Sequence, residues 1–133
     1  MKAIAEQTIL ITGATDGLGK ATALELAKLG ARVLIHGRDE GRLAMTKQEI
    51  AAASGNDKLE TYQANLASLA EVRHLAYEIQ AEHEQLHMLI NNAASGGGKP
   101  GDSRRDFSVD GYELRFAVNY LAPFLLTRLL LPC

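Results

Sequence analysis

The sequence predicts an α/β fold built on a doubly wound parallel sheet. Three observations carry that expectation. Short apolar runs rich in β-branched residues alternate with helical patterns at intervals of about 20 to 30 residues, the rhythm of βαβ units with helices on both faces of a sheet. A glycine-rich turn separates the first run from the first helix. The composition is that of an aliphatic globule, 47% hydrophobic and 23% charged, with no Trp, three Phe and four Tyr, and not that of a disordered chain.

Each element has its own signal. Thr8 to Thr12 is a β-rich run that stops at glycine. Leu18 to Leu29 follows with Leu18, Ala21, Leu24 or Glu25, and Leu29 at helical spacing, and Gly30 stands where a helix C-cap glycine belongs. Ala31 to His36 reads as the second strand. Asp39 caps a helix through Ala53 that carries Leu43 and Ile50 on one face, and Ser54-Gly55-Asn56 ends it. Lys58 to Gln63 is a third strand. Ser68 and Glu71 form a capping box that opens a helix to about Glu84, with Val72, Leu75, Ala76 and Ile79 facing in. Leu86 to Ile90 is the fourth strand. Residues 92 to 106 hold Gly96, Gly97, Gly98, Pro100 and Gly101, and read as a mobile surface loop. The last helix runs from about Asp110 to Leu131 and is apolar most of the way round, so it needs covering on all sides. The expectation is a single domain over residues 1–133, incomplete at its C-terminal side: about four strands and four helices of a larger sheet.

Charge and cysteine usage exclude several classes. With 14 basic and 16 acidic residues and a net charge of −2, there is no excess cation to neutralise nucleic-acid phosphates. The single cysteine, Cys133, forms no intrachain disulfide and no multi-Cys metal site, and it fits a reducing compartment. Glu6 interrupts any signal-peptide core. The most apolar stretch, Tyr120 to Leu131, is short and contains Arg128, so no membrane span is expected and the cytoplasm is the default location. His83 and His87 stand four apart, but the helix is expected to end between them, so no metal site is assigned. Arg104-Arg105-Asp106 reads as a solvated loop.

Thr12-Gly13-Ala14-Thr15-Asp16-Gly17-Leu18-Gly19 lies between the first strand and the first helix. Glycines at such a turn let the chain reverse, let a pyrophosphate approach the backbone, and let helix pack close to strand, while the helix N-terminus offers free N–H groups to the phosphates. The spacing is G-x3-G-x-G, and Gly19-Lys20-Ala21 supplies no hydroxyl for a P-loop magnesium. Beyond the second strand, where an acid would select NAD, the chain reads His36-Gly37-Arg38-Asp39. No acid stands at 36 or 37, and Arg38 suits a 2′-phosphate, so NADP is expected over NAD. Asp39 reads as a helix cap. Pro123 removes the N–H that would serve the carbonyl four residues back, so the Asn119 carbonyl is expected to turn to water.

The glycine motif at 12 to 19, Asn91-Asn92-Ala93 after the fourth strand, and Asn119 in the next helix resemble the short-chain dehydrogenases/reductases. The stretch from Asp110-Gly111-Tyr112-Glu113 through Phe116-Ala117-Val118-Asn119-Tyr120-Leu121 to Leu130-Leu131-Pro132 looks like the retinol-dehydrogenase-like branch. The resemblance implies a Rossmann-like, NADP-dependent oxidoreductase that transfers hydride between cofactor and an alcohol or carbonyl. It implies cofactor contacts from Gly13, Thr15, Asp16, Gly17, Leu18, Gly19 and Arg38, with Asn65 and Leu66 against the adenine. Asn92, Ala93 and Ala94 would line the nicotinamide-ribose side, and Asn91 would steady the sheet against the glycine loop. Asn119 would hold a relay water through its main chain, and the last helix would serve a homo-oligomer interface. Three positions depart from the family: Asp16 stands where many NADP-preferring members are basic, Asn65 where Asp is usual, and Ala94 where Gly is usual. The family's acid/base pair, Tyr-x-x-x-Lys, is absent from these 133 residues, so they alone are expected to turn nothing over. Two alternatives stay open: a non-catalytic NADP sensor or degenerate relative, and a methyltransferase that seats S-adenosylmethionine on a similar loop, which Asn91-Asn92 and Asn119 fit badly.

Overall fold

The computed structural model describes residues 2–94 and 106–132. The expected alternation is present: β1 (Thr8–Ile11), α1 (Gly17–Lys28), β2 (Arg32–Gly37), α2 (Glu40–Ser54), β3 (Leu59–Gln63), α3 (Leu69–Glu82) and β4 (Met88–Ile90). A helical segment follows, made of α4 (Leu114–Phe116), a π turn (Ala117–Leu121) and α5 (Ala122–Leu130). The strands are all parallel, in the order β3-β2-β1-β4. The chain moves outward from β1 to β3, then crosses back to place β4 on the other side of β1. That reversal opens a crevice at the carboxyl ends of β1 and β4, where open α/β sheets bind ligands.

Side chains alternate across the sheet with period two. Ile9, Ile11, Val33 and Ile35 pack with Ala23, Ala27, Leu43 and Ile50 beneath α1 and α2. Leu10, Leu34 and Tyr62 pack with Val72, Leu75, Ile79, Leu126 and Leu130 beneath α3 and α5. Because both faces are covered, β1 and β2 carry continuous buried apolar runs, whereas the edge strand β3 alternates.

The helix ends follow the sequence signals, with two corrections. The Gly30 N–H donates to Ala27 O at 3.0 Å and the Ala31 N–H to Leu26 O at 3.2 Å, the paired bonds of a Schellman close. Asp39 accepts from the Arg42 N–H at 3.1 Å, and Ser68 from the Glu71 N–H at 3.3 Å. The return half of the expected capping box is not made. The Ser68 N–H is already bound to Asn65 O at 3.0 Å, so the Glu71 carboxylate takes the Asn65 N–H instead, at 2.8 Å. The last helix starts at Leu114, not Asp110. Gly111 turns the chain with φ +84, and Glu113 caps the helix by accepting from the Phe116 N–H at 3.1 Å. The Asp110 carboxylate caps α3 instead, through the Leu69 N–H at 2.9 Å.

The segment from Leu114 to Leu130 is apolar on two sides. Ala117, Ala122, Leu126 and Leu130 are buried. Tyr112, Phe116, Tyr120 and Phe124 form an exposed ladder with successive ring centroids 5.3–6.4 Å apart. Among the described residues no helix is long and apolar enough to cross a membrane. Most of the loop expected over 92 to 106, the basic pair Arg104-Arg105, and Cys133 lie outside the described residues.

Candidate functional site

The crevice is a cleft of about 880 Å³. Of the residues singled out in the sequence, Gly13, Thr15, Asp16, Gly17, Leu18, Arg38, Asn65, Leu66, Asn92, Ala93 and Ala94 line it. Gly19 is buried beside it. Asn119 is exposed and does not line it, although Leu114 and Val118 do.

The three glycines are required for different reasons. Gly13 and Gly17 have φ +62 and +54, which L side chains rarely adopt. Gly19 is in ordinary helical backbone, but a Cβ there would lie 2.4 Å from both Gly13 O and Asn92 Nδ2. Those two atoms are themselves hydrogen bonded, at 3.1 Å. Asn92 therefore ties β4 to the glycine loop, the task the resemblance gave to Asn91. Asn91 reaches the other way, donating from its amide to Thr127 Oγ1 at 3.1 Å, because adjacent residues at a strand end point to opposite faces. Ala94 is accommodated without strain, since no described non-glycine residue has a positive φ.

Two further anchors were not singled out in the sequence. The Thr12 hydroxyl accepts from the backbone N–H of Asn92 and of Ala93, both at 3.0 Å. Thr12→Val is expected to cost about 1–3 kcal/mol by orphaning these donors. Urea unfolding checks this, with Thr12→Ser, which keeps the accepting hydroxyl, expected to avoid most of the loss. The second anchor is His36, buried between strand and loop. Its Nδ1 accepts from the Gly13 N–H at 3.0 Å and its Nε2 meets Ala64 O at 2.9 Å. Only the neutral tautomer with the proton on Nε2 satisfies both partners. Burial holds its pKa below the ordinary value; the bond to Ala64 opposes that and the Arg38 charge adds to it.

At the last two residues of β2 a carboxylate has no place, although Asp39 and Glu40 just beyond them line the cleft. Position 36 faces inward, and a Cβ on Gly37 would lie 2.7 Å from Thr15 Cγ2. Arg38 is exposed on the cleft wall. Asp16 is the N-cap residue of α1, yet its side chain makes no capping bond. It pairs instead with Arg42 of α2 at 3.2 Å. The first-turn N–H groups of α1, which have no intrahelical acceptor, therefore face the cleft without a side-chain cap. Asn65 Oδ1 accepts from the Ala67 N–H at 3.0 Å, so it is a turn residue, with a second lone pair left for a ligand.

The N–H that Pro123 lacks falls just after a π turn in the last helix. The Ala122 N–H reaches back five residues to the Ala117 carbonyl, and Asn119 sits inside this widened turn, as such bulges often do near functional sites. At the opposite, amino end of the sheet, Glu60, Glu82 and His83 bring ligand-type atoms within 4.8 Å of one another. Arg32 pairs with Glu60 at 3.2 Å there, and the buried Tyr62 hydroxyl donates to Glu82 at 2.6 Å. Burial and that bond to a carboxylate push the Tyr62 pKa far up.

Comparisons with known proteins agree with this geometry. The family model of the short chain dehydrogenases matches residues 7–133. Retinol dehydrogenase 13 of Mus musculus is 38% identical over 125 residues, which are 94% of this chain and 36% of that protein. Polyprenol dehydrogenase of Mus musculus is 43% identical over 123 residues, 92% of this chain and 35% of that protein. The chain thus spans a little over a third of the length of these curated relatives. Among solved structures, the Pseudomonas aeruginosa RhlG/NADP active-site complex superposes with a TM-score of 0.79 at 30% identity, over 99% of this chain and 50% of that one. A short-chain dehydrogenase from Sphingobium yanoikuyae in complex with NADPH superposes at 0.76 and 29% identity, over 96% of this chain and 48% of that one.

Proposed function

The chain belongs to the short-chain dehydrogenase family, and on that premise we propose that it is the cofactor-binding part of an oxidoreductase that moves a hydride between NADP(H) and an alcohol or carbonyl substrate. The observation that carries this reading is the cleft itself. It combines an uncapped helix N-terminus, two positive-φ glycines and an exposed arginine at the end of β2. The residues fit the cofactor. The first turn of α1 would hold the pyrophosphate. Arg38 would fork onto the 2′-phosphate, where the packing at Gly37 leaves no room for the acid that selects NAD. Asn65 and Leu66 would meet the adenine, and Asn92, Ala93 and Ala94 the nicotinamide ribose. When bound, the cofactor supplies or accepts the hydride. The Asn119 main chain would hold a relay water, while a tyrosine and lysine to move the substrate proton, which these 133 residues do not pair as Tyr-x-x-x-Lys, would have to be supplied elsewhere.

The relatives' names, retinol and polyprenol dehydrogenases, support an alcohol–carbonyl pair as the substrate class. The NADP and NADPH complexes among the structural neighbours support the cofactor. A homo-oligomer in the cytoplasm is part of the same reading.

Arg38→Ala is expected to weaken NADPH about tenfold or more, the worth of a charged hydrogen-bonding contact, and NADH far less. Equal losses for both cofactors contradict the selectivity argument. The hydride step is checked with the full-length gene product, by following NADPH absorbance against a panel of aldehydes, ketones and alcohols. No change with any of them contradicts it.

A further inference from the structure

We propose that Asp16 is a built-in competitor for the pyrophosphate seat, and that Arg42 is the positioning residue that keeps it out. The inference rests on the cofactor reading above and adds a residue to it. Asp is among the strongest N-cap residues because its carboxylate accepts from the N–H groups of the second and third helical residues. In α1 those belong to Leu18 and Gly19, the donors a pyrophosphate needs. Asp16 has the extended backbone of an N-cap residue, with φ −155 and ψ 175, but no capping bond. Its Oδ2 is drawn instead to Arg42 at 3.2 Å, across the glycine loop and onto α2.

Nothing else described in the structure accounts for the missing cap. The other full-length helices that begin at Asp or Ser, α2 and α3, are capped by Asp39 and Ser68. Arg42 is itself fixed in place: it lies in the first turn of α2, and its own N–H is the one Asp39 caps. Its guanidinium therefore faces the loop from a stable base. The ion pair is exposed, 73% at the Asp16 side chain and 56% at Arg42. Such pairs contribute little to folding, so its removal redirects Asp16 without unfolding α1 or α2.

Arg42 also lines the cleft beside Arg38. A simple phosphate-binding role for it makes a different prediction from the positioning role. A residue that only touches the 2′-phosphate affects NADPH and spares NADH. A residue that holds Asp16 off the pyrophosphate affects both, since both cofactors carry a pyrophosphate.

The test is a set of Kd values for NADPH and NADH, measured by cofactor fluorescence at low ionic strength on the full-length gene product. Arg42→Gln is expected to weaken both cofactors three- to tenfold, as Asp16 swings back to cap α1 and its negative charge meets the pyrophosphate. Asp16→Ala in the Arg42→Gln background, which removes the capping carboxylate altogether, is expected to restore NADH to within about twofold of the unaltered protein. Circular dichroism of each variant identifies any that fails to fold, and Arg42→Lys, which keeps the charge, then serves as the second variant and is expected to fall between. An Arg42→Gln effect confined to NADPH, or a double variant no tighter for NADH than Arg42→Gln, overturns the proposal. Arg38→Ala is independent of it: if that change spares NADPH selectivity, the cofactor reading has failed, whatever Arg42 does.

Discussion

His36→Ala is expected to destabilise the chain by about 3–5 kcal/mol and to disorder the glycine loop with it. The ring satisfies two buried groups at once, the Gly13 N–H and the Ala64 carbonyl. Leaving each unpaired costs about 1–3 kcal/mol, and the lost ring adds a cavity. That total is a large share of the roughly 5–15 kcal/mol that holds a domain together. His36→Phe fills the space but not the hydrogen bonds, so it should recover only the cavity part. The same contacts make stability depend on pH. Protonating Nδ1 would set its N–H against the Gly13 N–H, and burial already disfavours the charged ring. The folded pKa is lower than the unfolded one of about 6.5. Between those two values the unfolded chain binds a proton that the folded chain does not, so this stabilisation is complete above about pH 6.5 and is lost as pH falls toward the folded pKa. Chemical denaturation between pH 7.5 and 5 checks this: the midpoint should fall with acid, and His36→Gln should flatten the fall. A midpoint insensitive to pH over that range contradicts the assignment.

Gly19→Ala is expected to reduce affinity for either cofactor by ten- to a hundredfold. The added Cβ falls between Gly13 O and Asn92 Nδ2, in the hydrogen bond that fastens β4 to the loop. Neither neighbour is a free side-chain end: one is backbone, and the other is the Asn92 amide held by that same bond. The loop or the start of α1 must move. Overpacking of this kind costs about 1–3 kcal/mol, and each 1.4 kcal/mol transferred to binding is a factor of ten. Calorimetric titration with NADPH and NADH checks it. A near-normal Kd in a well-folded Gly19→Ala protein would mean that the close approach is not part of the site.

What the sequence shows of the fold is what short-range physics writes into it. The inner strands β1 and β2 are legible because burial on both faces leaves continuous apolar runs, and Gly30, Asp39 and Ser68 mark helix ends through bonds to near neighbours. The glycine loop is legible because its spacing is local. The missed parts lie where residues far apart in the chain meet. Thr12 reaches Asn92 and Ala93 across 80 and 81 positions. His36 meets Gly13 across 23, and Arg42 meets Asp16 across 26. Nothing in the local pattern of Thr12 or His36 distinguishes an anchor from an ordinary strand residue. The capping box misled for the same reason, since Ser68-Leu69-Ala70-Glu71 carries no sign that the Asn65 carbonyl would take the Ser68 N–H first. That the loop tie falls to Asn92 and not to Asn91 depends on which face of β4 each one meets, and that is settled only when α5 packs beside Asn91. The start of the last helix moved to Leu114 because Gly111 and the Glu113 cap outweigh the apolar pattern that began the expectation at Asp110.

The central claim is that the crevice beyond β1 and β4 seats NADP(H), with the 2′-phosphate on Arg38. Titrating the full-length gene product with NADPH and with NADH under identical conditions tests it most directly. The account predicts that NADPH binds at least about tenfold tighter, the worth of one charged contact to the phosphate. Equal affinities, or tighter binding of NADH, would contradict it.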